Sequence, residues 1–153
     1  MAAKKRTRKG ATVLEMSIIL GTFLILTFGI LEFSIAVFRY HVVSQASRYA
    51  ARRAIVHGEL ATALGSWGTT TIEAKANAVG IPIIDDATTG IQDKLFGCDL
   101  AETDIKVEWL DGSNGFEKSV RVTVTSPYQP VLFTLFPQAS IDLTASSTMQ
   151  IAH

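Results

Sequence analysis

The stretch KKRTRKGATVLEMSIILGTF, residues 4–23, sets the reading of everything that follows it. Lys4, Lys5, Arg6, Arg8 and Lys9 stand together, Gly10 ends the basic run, and an apolar segment opens with one carboxylate, Glu15, near its start. Between Glu15 and Glu32 lie the residues MSIILGTFLILTFGIL, without a charge. A membrane helix needs roughly twenty residues to cross about 30 Å of hydrocarbon. Ala11 to Leu31 meets that length and keeps both carboxylates near the interfaces, where their cost falls. A soluble core helix would show a polar stripe, and this segment is apolar all round.

The charge balance supports the same orientation. The whole chain is neutral, but five of its fourteen basic residues precede Ala11. From Ala11 onward nine basic residues face fourteen acidic ones, a net charge of −5. Lysines and arginines beside a span stay cytoplasmic, so the chain is expected to sit with its N-terminus inside and its acidic body outside. Nucleic-acid binding is the rival reading of the basic cluster, but no second basic face with interleaved aromatics follows it. A secretory signal peptide is the rival reading of the whole opening, with Ser34-Ile-Ala36 or Ser44-Gln-Ala46 as cleavage sites. The uncharged core is longer than a signal core and is bounded by acids, which favours a retained span.

Beyond Phe38 the sequence RYHVVSQASRYAARRAIVHG continues without a clear stop until His57-Gly58. Ala46, Ala50 and Ala54 recur at four-residue spacing, a small stripe that lets another element approach closely. Glycine at 58 suits the left-handed turn just past a helix. One helix over 11–57 would measure about 70 Å, more than a simple anchor requires. Glu32 and Arg39 lie on nearly the same face of it and are placed to help set its depth.

These residues resemble two known patterns. The first is the leader of type IV pilins and pseudopilins: Gly10 as the last leader residue, Ala11 as the new N-terminus, and Glu15 as the fifth mature residue. Alanine stands at Ala11 where an aromatic is commoner, and the leader is short, as in Flp-type systems. The second is the TadE/TadG-like family of tight-adherence pilus assembly. It is similar in Gly10-Ala-Thr-Val-Leu-Glu15, in Gly29-Ile-Leu-Glu32, and in the alanine- and arginine-rich run from Ala46 through Arg53. This chain has Gly21 and no proline in the first span. The resemblance implies cleavage by a prepilin peptidase and pairing of Glu15 with a neighbouring subunit's amine. It also implies other pilins or pseudopilins, and an inner-membrane platform or secretion channel, as partners.

The remainder, 58–153, reads as a small extracytoplasmic α+β domain after a basic leader (1–10) and a helix with its span over about 11–38 and an extension over 39–57. Thr70 to Val79 is expected as a short helix closed by Gly80, and Ile81-Pro-Ile-Ile84 as an extended run. Three segments alternate with period two: Ile105, Val107 and Trp109; Val120, Val122 and Val124; and Ile141, Leu143, Ala145, Ser147 and Met149. They predict an antiparallel sheet of three or more strands with one wet face. Val131 to Phe136 is expected as a short helix, with Phe133 and Phe136 in the core. Trp67 either packs under the domain or touches the headgroup layer.

No motif points to catalysis. No serine occupies a G-x-S-x-G elbow, and no glycine-rich phosphate loop occurs. Cys98 is the only cysteine. His41, His57 and His153 lack neighbours at ligand spacing. Asp85, Asp86, Asp99, Glu102 and Asp104 do not form a calcium loop and read as a solvated acidic face. No cofactor, metal or nucleic acid is expected. The lipid bilayer is the expected surrounding of the span, with Gly21, Gly29, Glu32, Ala46, Ala50 and Ala54 as helix-packing positions. The expected function is that of a minor pseudopilin or membrane assembly factor for a tight-adherence pilus or secretion system. The alternative is an uncleaved, membrane-tethered binding or adhesion module.

Overall fold

A computed structural model describes residues 9–58, 67–81, 83–84, 90–130 and 140–151. Helix α1 runs over Lys9–Ala54, 46 residues and roughly 69 Å at the usual rise. Among the described residues four strands follow: β1 (Ile72–Lys75), β2 (Asp104–Trp109), β3 (Ser119–Tyr128) and β4 (Ile141–Gln150). Each pairs antiparallel with its sequence neighbour, giving the order β1-β2-β3-β4. The fold is therefore α+β, with a long N-terminal helix and an antiparallel sheet.

The alternation in β2 and β3 has the expected consequence. Ile105, Val107 and Trp109, with Val120, Val122 and Val124, are buried on one face. Helix α1 lies on that face through Val43, Ala46, Ser47, Ala50, Ala51 and Ala54, all essentially inaccessible. These are mostly small side chains, so the helix axis can sit close to the sheet; packing distance follows side-chain size at the contact. Ile83, Ile84, Ile91 and Leu95, from the segment between β1 and β2, join the same core.

The opposite face is polar. Lys106 bridges Glu73 of β1 at 2.8 Å and Glu108 of its own strand at 3.0 Å, and Lys75 meets Asp104 at 2.8 Å. Farther along the sheet the hydroxyls of Thr125 and Thr144 lie 3.2 Å apart across β3 and β4.

Two local expectations are overturned. Residues 70–79 do not form a helix; their centre is strand β1, paired from Ile72↔Val107 to Lys75↔Asp104. Ile72 and Ala74 face the core while Glu73 and Lys75 face water, a period-two pattern hidden under good helix formers. Its charged side chains suit a short strand at a sheet edge. Ile83 and Ile84 are not extended either: they lie in a turn, the N–H of Ile84 donates to the carbonyl of Ile81 at 2.8 Å, and both side chains are buried, while Pro82 lies outside the described residues. The helix ends at Ala54, and the N–H groups of Val56 and His57 close tighter turns onto Arg53 and Ala54. Trp67 stacks on His57 with ring centroids 4.3 Å apart, so it packs at the end of the helix far from the apolar segment. The short helix expected at Val131–Phe136, with Phe133 and Phe136, lies outside the described residues.

Candidate functional site

Helix α1 divides into two unlike halves, and the sequence-derived site residues fall across both. In the first half, Gly10, Ala11 and Glu15 occupy the opening turns and are exposed. Val13, Ile18, Phe23, Ile25, Ile30 and their neighbours are exposed as well, on every side of the helix. This part is long and apolar enough to cross a membrane, and none of its most apolar window is buried within the chain. Its Ser and Thr hydroxyls are satisfied internally. The hydroxyls of Ser17, Thr22, Thr27 and Ser34 each donate to the carbonyl four residues earlier, at 2.8–3.0 Å. Such back-bonding is what a hydroxyl needs where no water is available.

The glycines in this half have no internal reason to be glycine. A Cβ built on Gly10, Gly21 or Gly29 would meet nothing within 4 Å. Each helical glycine costs about 0.5–1 kcal/mol relative to alanine. The packing within the described chain does not require glycine at these positions. Ala46, Ala50 and Ala54 differ: they lie in the second half and are consumed by the contact with the sheet. The structure thus separates the three alanines from the two glycines of the expected packing set.

The two halves meet at Glu32. Its carboxylate accepts a hydrogen bond from the phenol of Tyr128, the last residue of β3. The same hydroxyl lies 3.4 Å from the backbone carbonyl of Glu32. Arg39, two turns farther along α1, places its guanidinium 5.1 Å from the centre of the Tyr128 ring. A cation over the face of a tyrosine is attractive, and the two helix side chains hold the ring between them. Tyr128 is buried, and burial first, then the hydrogen bond and charge of Glu32, push its phenol up to about 12; Arg39 opposes them. The phenol therefore stays a donor throughout the ordinary pH range.

Sequence reasoning found Glu32 and Arg39 and missed Tyr128. The available signal was parity: Tyr128 shares the face of Val120, Val122 and Val124, so its ring had to point at the helix. A second buried polar link sits two residues back along β3. Thr103 and Ser126, both inaccessible, share a hydrogen bond at 2.9 Å, and the Thr103 hydroxyl also reaches the carbonyl of Asp99 at 2.6 Å. Among the described residues, no three His, Cys, Asp or Glu side chains come together to hold a metal ion. Cys98 is a free thiol, half-buried.

An apolar helix left bare at one end and seated on a sheet at the other defines a class: an α+β protein with a membrane-anchor type of N-terminal helix. Residues 10–52, nearly the whole of α1 and none of the sheet, match the TadE-like protein family. No curated protein matches the chain, and no solved structure does. The match covers the same Gly10, Glu15, Gly29 and Glu32 that carry the resemblance in the sequence.

Proposed function

We propose that this chain is a minor pseudopilin or membrane assembly factor of a tight-adherence pilus or secretion system, working by subunit packing. The observation that supports it best is the split helix, whose outer half is built into the domain while its first half offers a largely apolar surface and uncontacted glycines. Ala11 to Leu31 would cross the bilayer at about 31 Å. We set the outer edge of the span at Glu32, because Tyr128 reaches the helix there. The basic head would remain cytoplasmic and the sheet extracytoplasmic, at the bacterial inner membrane.

Removal of residues 1–10 by a prepilin peptidase would take away all five leader charges and expose the amine of Ala11. Glu15 would then face a neighbouring subunit's amine, since an unpaired carboxylate in apolar surroundings is costly. Retention of the rod fits the packing: a signal-peptide cut after Ala46 would strip Val43 and Ala46 from the core beneath the sheet. In this reading, small residues and charge pairing supply selectivity, because lipid gives helices little hydrophobic drive to associate. The partners would be other pilins or pseudopilins and the platform or channel of the system.

Mass measurement and N-terminal sequencing of protein extracted from membranes test this reading. The expected start is Ala11, with a Gly10→Leu form retaining the whole basic head and failing to enter assemblies. Recovery of the native chain with Lys4–Lys9 intact would instead support an uncleaved, tethered binding or adhesion module. Normal assembly of a Glu15→Gln variant would remove the role given to Glu15.

A further inference from the structure

We propose that the end of the β3–β4 hairpin nearest Glu32, rimmed by Ile141, rests on the outer lipid surface, making the bilayer itself a partner of the extracytoplasmic domain. This rests on the membrane-spanning reading of α1, and its geometry comes from the strand register. The β2–β3 ladder stops at Asp104↔Thr125. The β3–β4 ladder continues for three more pairs, Ser126↔Leu143, Pro127↔Asp142 and Tyr128↔Ile141. Pro127 has no N–H to offer a further strand, which suits a ribbon that leaves its neighbour behind. At about 3.3 Å per residue the hairpin outruns β2 by about 10 Å.

That extension points toward the apolar half of the helix. Tyr128 closes the ladder and bonds to Glu32, immediately after Ile30 and Leu31, which are exposed and suited to lipid. If Glu32 marks the outer edge of the hydrocarbon, the end of the hairpin lies in the headgroup layer. Ile141 shares the sheet face of buried Val124 and Ala145, yet is 52 % exposed at this end. Phe33, Phe38 and Tyr40 are exposed on α1 from the same level outward, the aromatic setting of a membrane interface.

The chemistry favours lipid over a charged protein surface. Among described residues 126–130 and 140–143, Asp142 supplies the only charge at neutral pH. The contact is therefore apolar and insensitive to salt, and it needs no anionic lipid.

The test uses the full chain with Cys98→Ser, reconstituted in phosphatidylcholine vesicles doped with shallow or deep spin-labelled lipid. One environment-sensitive fluorophore is placed at Ile141→Cys, at Phe23→Cys, or at Phe116→Cys on the exposed turn at the opposite end of the sheet. The expected result is loss of most Ile141 emission with the shallow quencher, loss of most Phe23 emission with the deep one, and none at Phe116. A quenched Phe23 label beside an Ile141 label that behaves like Phe116 overturns the proposal and leaves the span standing. An Ile141 label shifted to the blue but untouched by either quencher also overturns it, in favour of a protein neighbour. An unquenched Phe23 label overturns the span and this inference with it.

Discussion

The phenol of Tyr128 donates to the carboxylate of Glu32 across 96 positions of chain, joining the last residue of a strand to the helix turn where the apolar run ends. A rigid joint there would stop the sheet from swinging on the rod. Tyr128→Phe keeps the ring beneath Arg39 and removes only the donor. The expected loss is about 1–2 kcal/mol, the range of a hydrogen bond to a partly exposed charged group. Urea unfolding of the detergent-solubilised chain, followed by tryptophan fluorescence, measures it. An unchanged midpoint would mean that the helix and sheet are held by the apolar contact alone.

How much of this joint was legible in the sequence differs residue by residue. Glu32 stood out because a carboxylate closing an apolar run is costly wherever it lacks a partner. Val120, Val122 and Val124 stood out because alternation alone puts them on one face. Parity places the Tyr128 ring on the helix side of the sheet, but its pairing with Glu32 was not visible, because a partner at such a separation is decided by the register of the sheet on the helix. Strand β1 was missed for another reason. Glu73-Ala-Lys-Ala76 carries helix propensity, and only the open edge of β2, built from residues some thirty positions later, makes it a strand.

The alanine stripe and the glycines should respond in opposite ways. Ala50 is inaccessible under the sheet, so Ala50→Leu overpacks the contact and is expected to cost about 1–3 kcal/mol. Gly29 has open space where its Cβ would be, so Gly29→Ala should hold or raise monomer stability by up to about 1 kcal/mol. If Gly29 serves intermolecular packing, the same variant loses association in crosslinking of native membranes. Unfolding of the solubilised monomer separates the two effects.

Thr103 offers a cleaner test of the buried polar link. Thr103→Val keeps the shape, deletes the hydroxyl, and leaves Ser126 without that partner in an inaccessible site. The expected destabilisation is about 1–3 kcal/mol, the range for a buried polar group left unmade. Thr103→Ser should restore most of it. A valine variant as stable as the native chain would show that Ser126 finds another partner.

The ion pairs on the wet face should matter far less. Lys106 titrates above its ordinary range because it bonds to Glu73 and Glu108 and sits in their charge, but it is open to solvent. Exposed pairs are screened and hold long side chains at an entropic cost. Lys106→Met is therefore expected to leave the thermal midpoint unchanged at physiological salt. A clear drop would mark this face as more than a solvated surface.

Alkaline titration reports on the joint directly. The phenol of Tyr128 ionises at about 12 in the folded chain, against 10.0 ordinarily. A folded-state value above the unfolded one means that the unfolded chain releases its proton first as pH rises. The contribution is thus intact below pH 10 and lost progressively between pH 10 and about 12, on the order of 2 kcal/mol in all. Lys106 loses its proton at high pH as well, so the decline is read as a difference between the native chain and Tyr128→Phe, both carrying Lys106→Met. The tyrosinate absorbance that appears near pH 12 in the native chain should be missing after Tyr128→Phe. Parallel stability curves for the two proteins from neutral pH to pH 12 would show that folding does not hold the Tyr128 phenol buried and protonated beside Glu32.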